Sequence, residues 1–440
     1  MFEVRRGRDH RGIVGESVLT RPFARVDGTL GCEGVSLSTI AAAAGTPSYV
    51  YSANAVRDQY ARLAAALAPV PFRIHYSLKA NSCAALLRLL RSLGAGADVV
   101  SGGELYRARR VGFTSADIIF GGVGKTEREL AEGIESQVLL LNVESDQELR
   151  VVDRLARERG VVTPVALRVN PEITVETPHQ YIRTGEKGHK FGIPYDEVRE
   201  VARLARSLPN VVLRGLDMHV GSQLSRLDAY RDGIDRVLQL LGELRADGAR
   251  DLRYLDIGGG LAVTYDAEEP TDLERFAEIV VPAVRSTDLQ LIVEPGRFMV
   301  GNAGVLISRV LYRKRSGGKE LLVVDAGMTD LLRPSHYNAY HRIEAVEAVD
   351  GRTRVDVVGP VCESGDFLAL DRELEDLSAG DLIVIHSAGA YGYAMASNYN
   401  TRGKPAEVLV DGDRFAVVTE RERYEHLVSQ EVVEPEWRTN

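Results

Sequence analysis

Cysteine is scarce in this chain, with three in 440 residues: Cys32, Cys83 and Cys362. An odd, sparse set excludes a disulfide scaffold and suits a reducing compartment, so a cytoplasmic protein is expected. No apolar run approaches the ~20 residues of a membrane span. The opening Met1-Phe2-Glu3-Val4-Arg5-Arg6 has no apolar stretch of the kind a secretion signal needs. Positive charge is not in excess either. The net charge is −9, which gives no electrostatic footprint for nucleic acid. Internal repeats and low-complexity segments are missing. A chain of this length can bury large cores and usually divides in two.

What is present begins with a lysine at a strand end. Phe72-Arg73-Ile74-His75-Tyr76-Ser77-Leu78-Lys79 alternates apolar and other side chains at the two-residue period of a half-buried strand. Ala80-Asn81-Ser82 then leads into an apolar helix over 83–93. Seven further strand-like runs follow, at 97–101, 117–120, 138–143, 165–170, 212–220, 254–258 and 289–294. An amphipathic helix over 53–67 precedes the set. Helical patterns at 104–111, 127–134, 146–159, 196–207, 227–247 and 271–285 fill most gaps. Eight strands alternating with helices predict a parallel sheet, and the number eight favours a closed barrel.

After Glu294 the pattern changes. Short strands at 306–312, 321–325, 343–349, 354–358, 382–385, 407–410 and 415–418 are separated by turns such as Gly317-Gly318 and Asp411-Gly412-Asp413. The expected division is an N-terminal segment 1–47, a barrel 48–300 and an all-β domain 301–440. The first segment could return to the β domain, but sequence does not decide it.

In such a barrel the active site gathers at the C-terminal strand ends. Those ends carry Lys79, then Asp98 with Ser101-Gly102-Gly103-Glu104, Arg168 and Asn170, His219-Val220-Gly221-Ser222-Gln223, Gly258-Gly259-Gly260, and Glu294-Pro295-Gly296-Arg297. Singly, each has a plain alternative: a solvated lysine, a structural histidine, a tight turn. Together they describe one chemistry. A strand-end lysine can form a Schiff base with a carbonyl cofactor. Bare glycine backbone can meet a phosphate, and Arg297 can add a bidentate cation. A carboxylate at Glu294 can keep a pyridine nitrogen protonated, while His219 stacks on the ring. The cofactor these features suit is pyridoxal 5'-phosphate. No metal site is expected.

Five blocks carry a family resemblance: Tyr76-Ser77-Leu78-Lys79-Ala80-Asn81, His219-Val220-Gly221-Ser222-Gln223, Glu294-Pro295-Gly296-Arg297, Cys362-Glu363-Ser364-Gly365-Asp366 and Gly389-Ala390-Tyr391-Gly392-Tyr393. In order, from about Leu37 to Val428, they resemble the diaminopimelate decarboxylases, a family of fold type III pyridoxal-phosphate decarboxylases. The resemblance implies a TIM-type (β/α)8 barrel with a C-terminal β domain, the alanine racemase-like arrangement. It implies that Lys79 carries the cofactor, His219 stacks on it, and Ser222, Gly259 and Gly260 hold its phosphate. Glu294 would face the ring nitrogen, and Tyr391 would reach phosphate and substrate. Asp98 and Gly296 join the expected cofactor set. A head-to-tail homodimer is implied, with Cys362 and Glu363 acting in the partner's site and Cys362 reprotonating the α-carbon. Cys32 and Cys83 are read as packing residues.

For the substrate, a small amino acid, the resemblance assigns the far carboxylate to Arg333, Tyr337 and Arg297, and the far amine to Glu363. Arginine's planar fork fits that carboxylate. The reaction implied is decarboxylation of meso-2,6-diaminopimelate to L-lysine. The alternatives are a same-fold decarboxylase of ornithine, carboxynorspermidine or a carrier-bound substrate, and a non-catalytic homologue that binds pyridoxal phosphate. A racemase of this fold would set an arginine where Glu294 stands. The stretch 171–194 is long enough to be a lid or binding loop.

Overall fold

The computed structural model describes residues 22–173 and 188–438. Eight parallel strands close a barrel: Phe72–Ser77, Gly96–Val99, Ile118–Phe120, Leu140–Val143, Thr163–Asn170, Val211–Met218, Tyr254–Asp256 and Gln290–Val293. The eighth pairs with the first through Val293 and Ile74, which completes the ring. Strands covered on both faces read as continuous apolar runs, as in Ile118-Ile119-Phe120. Ile119, Leu140, Ala166 and Ile292 form a small cluster of their own in the interior.

The connecting helices start where short polar side chains cap them. Ser101, Thr126 and Ser145 each accept a backbone N–H of the first turn, and Thr126 closes a capping box with Glu129. Their apolar stripes face the strands; Val198–Ser207 buries Val198, Val201, Ala202 and Ala205.

The second unit is a sheet built on the long strand Gly304–Ser316. The strand Phe367–Glu375 has no counterpart in the sequence reading, and it pairs with Arg352–Val358 through two register shifts. Ser48–Ser52, which the sequence reading puts at the head of the barrel segment, lies in this sheet instead. It runs antiparallel to Gly304–Ser316 and parallel to Ala406–Asp411. The physical reason is in its pattern: all five residues are buried, as suits a strand held on both edges inside a sheet.

The residues before it return to the same unit. Leu30 donates its N–H to the Val346 carbonyl (2.8 Å). Phe23, Leu30, Cys32, Leu37 and Ile40 pack with Val305, Ile307, Val384 and Val408. Cys32 and Cys83 are both buried. Residues 1–21 and most of the expected lid, 174–187, lie outside the described residues. What is described of that loop ends in Ile193–Pro194, which pairs with the fifth barrel strand. Among the described residues no helix is long and apolar enough to cross a membrane.

Candidate active site

Lys79 sits in the one-turn helix Leu78–Ala80 that ends the first strand. That turn is tied to the second unit. Tyr391 donates its N–H to the Ala80 carbonyl (2.8 Å), and Asn81 Nδ2 donates to the Gly389 carbonyl (3.0 Å). Tyr391 is thereby brought to the barrel mouth with a left-handed φ of 56°, an uncommon backbone for a bulky residue. At Gly389 a Cβ would lie 1.9 Å from the Val300 carbonyl oxygen, so this close approach admits only glycine.

The lysine points at acids. Its Nζ is 3.6 Å from Asp98 Oδ2, which also accepts the Ser77 hydroxyl (2.6 Å). Burial works against the ammonium. The attraction of Asp98, Tyr391 and Glu294 outweighs it and holds Lys79 above the usual lysine range.

Behind it lies a layer of which the sequence reading names only Arg168. Arg168, Asp217 and Asp256 are register partners on the fifth, sixth and seventh strands. Arg168 pairs with Glu144 (2.9 Å) and lies 3.9 Å from Asp217. Asp217, Asp256 and Glu294 bring carboxylate oxygens within 4.8 Å of one another, close enough for a cation or for shared protons. Burial first drives all three above the carboxylate range; Arg168 opposes the rise of Asp217, to about 6, while repulsion within the trio adds to that of Asp256 and Glu294. Asp256 and Glu294 share a hydrogen bond.

The glycine run behaves differently from the phosphate cradle expected of it. Gly258 donates its N–H to Asp256 Oδ1 (2.9 Å), and Gly259 donates to His219 Nδ1 (3.2 Å). The first two amides thus serve the acid layer and the histidine. Since Nδ1 accepts, the His219 proton belongs on Nε2. Burial, with Lys79 and Arg168 nearby, keeps that ring neutral. At Gly259 a Cβ would stand 2.3 Å from the Glu294 carbonyl oxygen; at Gly260, 2.4 Å from that of Gly221. At Gly296 it would meet the Ala80 Cβ at 3.0 Å, so this glycine lets the eighth strand end close on the lysine turn.

Arg297 and Ser222 are brought together beside this run: Nη2 donates to Ser222 Oγ (3.3 Å), Nη1 to the Tyr265 hydroxyl (2.6 Å), and the guanidinium lies over the Tyr391 ring (4.7 Å). Its Nε is buried without a partner. Arg333 opens the short helix Arg333–Tyr337 and is buried, stacked over Tyr265 (4.4 Å) and 2.9 Å from His341 Nε2. Tyr337, half-buried, favours the charged forms of both arginines. Among the described residues no carboxylate forms an ion pair with Arg297 or Arg333. Tyr265 and His341, like Asp217 and Asp256, escape a reading restricted to strand ends and motif blocks.

Cys362 and Glu363 stand apart from this assembly. Both are exposed on a loop of the β unit. Cys362 donates its N–H to Asn400 Oδ1 (2.9 Å), and Glu363 hydrogen-bonds the Tyr399 hydroxyl. Asp366 holds the loop by accepting the N–H groups of Met328 and Val361 (2.6 Å each).

The arrangement fits pyridoxal phosphate. A lysine held between acids, a buried carboxyl that holds a proton, a neutral imidazole and an unpartnered guanidinium nitrogen beside a serine hydroxyl occupy one barrel mouth. Comparison with known proteins agrees. Residues 53–301 match the family model "Pyridoxal-dependent decarboxylase, pyridoxal binding domain". Diaminopimelate decarboxylase of Pseudomonas aeruginosa is 45% identical over 415 residues, 94% of this chain and 99% of that protein. The Aquifex aeolicus enzyme of that name is 44% identical, over 91% and 95%. The crystal structure of the Helicobacter pylori diaminopimelate decarboxylase complexed with L-lysine superposes with a TM-score of 0.86 at 38% identity, covering 89% of this chain and 98% of that one.

Proposed function

The chain belongs to the pyridoxal-dependent decarboxylases, among the diaminopimelate decarboxylases, and we infer from this that it removes carbon dioxide from meso-2,6-diaminopimelate to leave L-lysine, the last step of lysine biosynthesis. The observation that carries the substrate is the buried guanidinium of Arg333, beside Arg297 at the cofactor phosphate, with no carboxylate among the described residues to neutralise it. Buried charge without a partner is costly, so a substrate that brings its own far carboxylate fits here. The terminal ammonium of ornithine would meet like charge.

Bound pyridoxal phosphate supplies the electron sink for the carbon that loses carbon dioxide. Lys79 holds the cofactor through Nζ, oriented by Asp98 and Ser77. Glu294, backed by Asp256, holds a proton toward the ring nitrogen. His219, its Nδ1 held by the Gly259 amide, would stack on the ring. Ser222, Gly260 and Arg297 receive the phosphate, with Gly296 and Tyr391 closing the site beside them. Arg333, with Tyr337, grips the far carboxylate.

Cys362 and Glu363 make their contacts within the β unit, so we assign them to the barrel mouth of a partner in a homodimer. There Cys362 delivers the proton to the α-carbon and Glu363 meets the far amine. We place the protein in the cytoplasm. We divide it into a barrel from about residue 53 to 300 and a β unit that combines 22–52 with the residues after 300.

The test is a substrate panel with product analysis: meso-, LL- and DD-diaminopimelate, ornithine, arginine and lysine. meso-Diaminopimelate should be preferred. Arg333→Met should lower kcat/KM for it roughly tenfold to a hundredfold with cofactor retained, the worth of a charge-assisted hydrogen bond of about 1.5–3 kcal/mol. Preference for ornithine or lysine by the unaltered protein would replace this assignment with another decarboxylase of the same fold.

A further inference from the structure

Tyr265 follows the seventh strand's glycine run by five residues and touches both arginines. Its hydroxyl accepts from Arg297 Nη1 (2.6 Å), and its ring lies under the Arg333 guanidinium at 4.4 Å. Two buried cations would ordinarily drive each other apart. Here one aromatic face and one phenol oxygen hold both. The ring is itself fixed edge-on by His341, at 5.4 Å and 83°. His341 Nδ1 is bonded to the His386 carbonyl (2.8 Å), which leaves Nε2 to accept from Arg333 (2.9 Å). Burial and the Arg333 charge lower the His341 pKa to about 3, so this acceptor stays neutral.

We propose that Tyr265 is the residue that sets specificity for a far carboxylate, acting as a positioning residue: its ring holds Arg333 as the receptor, while its hydroxyl separately holds Arg297 on the cofactor side. The proposal rests on the function inferred above. Its two halves come apart by substitution. Tyr265→Phe keeps the ring and loses the hydroxyl, and Tyr265→Leu loses both.

The experiment measures equilibrium binding to the holoenzyme of two probes of equal chain length, L-lysine and pentane-1,5-diamine. L-Lysine retains the carboxylate that Arg333 would read, and the diamine lacks it. Neither measurement depends on turnover. The unaltered protein should favour L-lysine. Tyr265→Leu should lose at least tenfold of that preference with diamine binding unchanged, which general loosening of the fold would not do. Tyr265→Phe should keep the preference, while its cofactor dissociation constant rises several-fold. A preference retained in Tyr265→Leu overturns the proposal. So does a Tyr265→Phe variant with unchanged cofactor affinity or with its preference for L-lysine lost, and either result overturns the proposal even if the leucine form does not fold. If the unaltered protein shows no preference for L-lysine and no turnover of meso-diaminopimelate, it is the underlying function that fails.

Discussion

Replacing Arg168 by methionine removes the main cation from the acid layer beneath the cofactor. Arg168 pairs with Glu144 at 2.9 Å and faces Asp217 at 3.9 Å, and all three side chains are largely buried. Breaking a buried ion pair typically costs about 3–5 kcal/mol. The cost should depend on pH in a defined direction. Asp217 is raised from the ordinary aspartate value of 3.8 to about 6, by burial first, with Arg168 opposing the rise. Its folded pKa thus lies above its unfolded one. The stability it contributes is fully present below 3.8 and is lost as pH climbs through 6, about 3 kcal/mol in all. Without Arg168 the folded pKa moves higher still, so the loss continues above pH 6 in the variant only. Cofactor-stripped Arg168→Met should melt about 5–10 °C below the unaltered protein at pH 8. At pH 5, where Asp217 carries its proton in both, the stability gap should shrink by at least about 1.4 kcal/mol, one pKa unit's worth. Arg168→Lys should recover part of the difference at pH 8. Denaturation at the two pH values decides the matter. A gap of equal size at both, or wider at pH 5, would refute the reasoning.

Two further outcomes are expected. Gly259→Ala forces a methyl to within 2.3 Å of the Glu294 carbonyl oxygen, so overpacking should cost about 1–3 kcal/mol in thermal denaturation and weaken the cofactor in a titration; unchanged melting and affinity would contradict the close approach. Lys79→Ala and Cys362→Ala should each be nearly inactive, yet a reassociated mixture should regain a fraction of activity, because one hybrid site keeps both residues; demonstrated subunit exchange without recovery would remove Cys362 from the partner's site.

The barrel was legible because its strands are covered on both faces. A run such as Ile118-Ile119-Phe120 leaves no polar position to blur it, and in Leu140–Val143 only Asn142 interrupts the apolar residues. Phe367–Glu375 was not legible. Its apolar Leu370 is exposed beside Asp371, and its register shifts against Arg352–Val358 break the two-residue period. At the site, strand ends and motif blocks pointed to Lys79, His219, Glu294 and Arg297, which the fold does gather. Asp217 and Asp256 lie within strands, where a single acid reads as an interruption. Tyr265 lies in the loop beyond Gly260, and His341 gains meaning only through Arg333, which tertiary packing brings to it. The amides of Gly258 and Gly259 have partners that sequence does not show: their hydrogen bonds go to Asp256 and His219.

The strand Ser48–Ser52 has a consequence for synthesis. Its neighbours are Ile307, opposite Ser48 on one edge, and Ala406, opposite it on the other. At about 5–20 residues per second, roughly 13–50 s of translation separate Ser48 from its first partner. Throughout that interval the nascent chain carries an aromatic-rich edge, with Tyr49, Val50 and Tyr51 unpaired, while the entire barrel emerges and can fold behind it. The barrel is therefore an insertion within the β unit. Its closure draws Tyr51 and Gly304 toward each other, and the turn at Lys79 can be clamped by Tyr391 only after Tyr391 has left the ribosome.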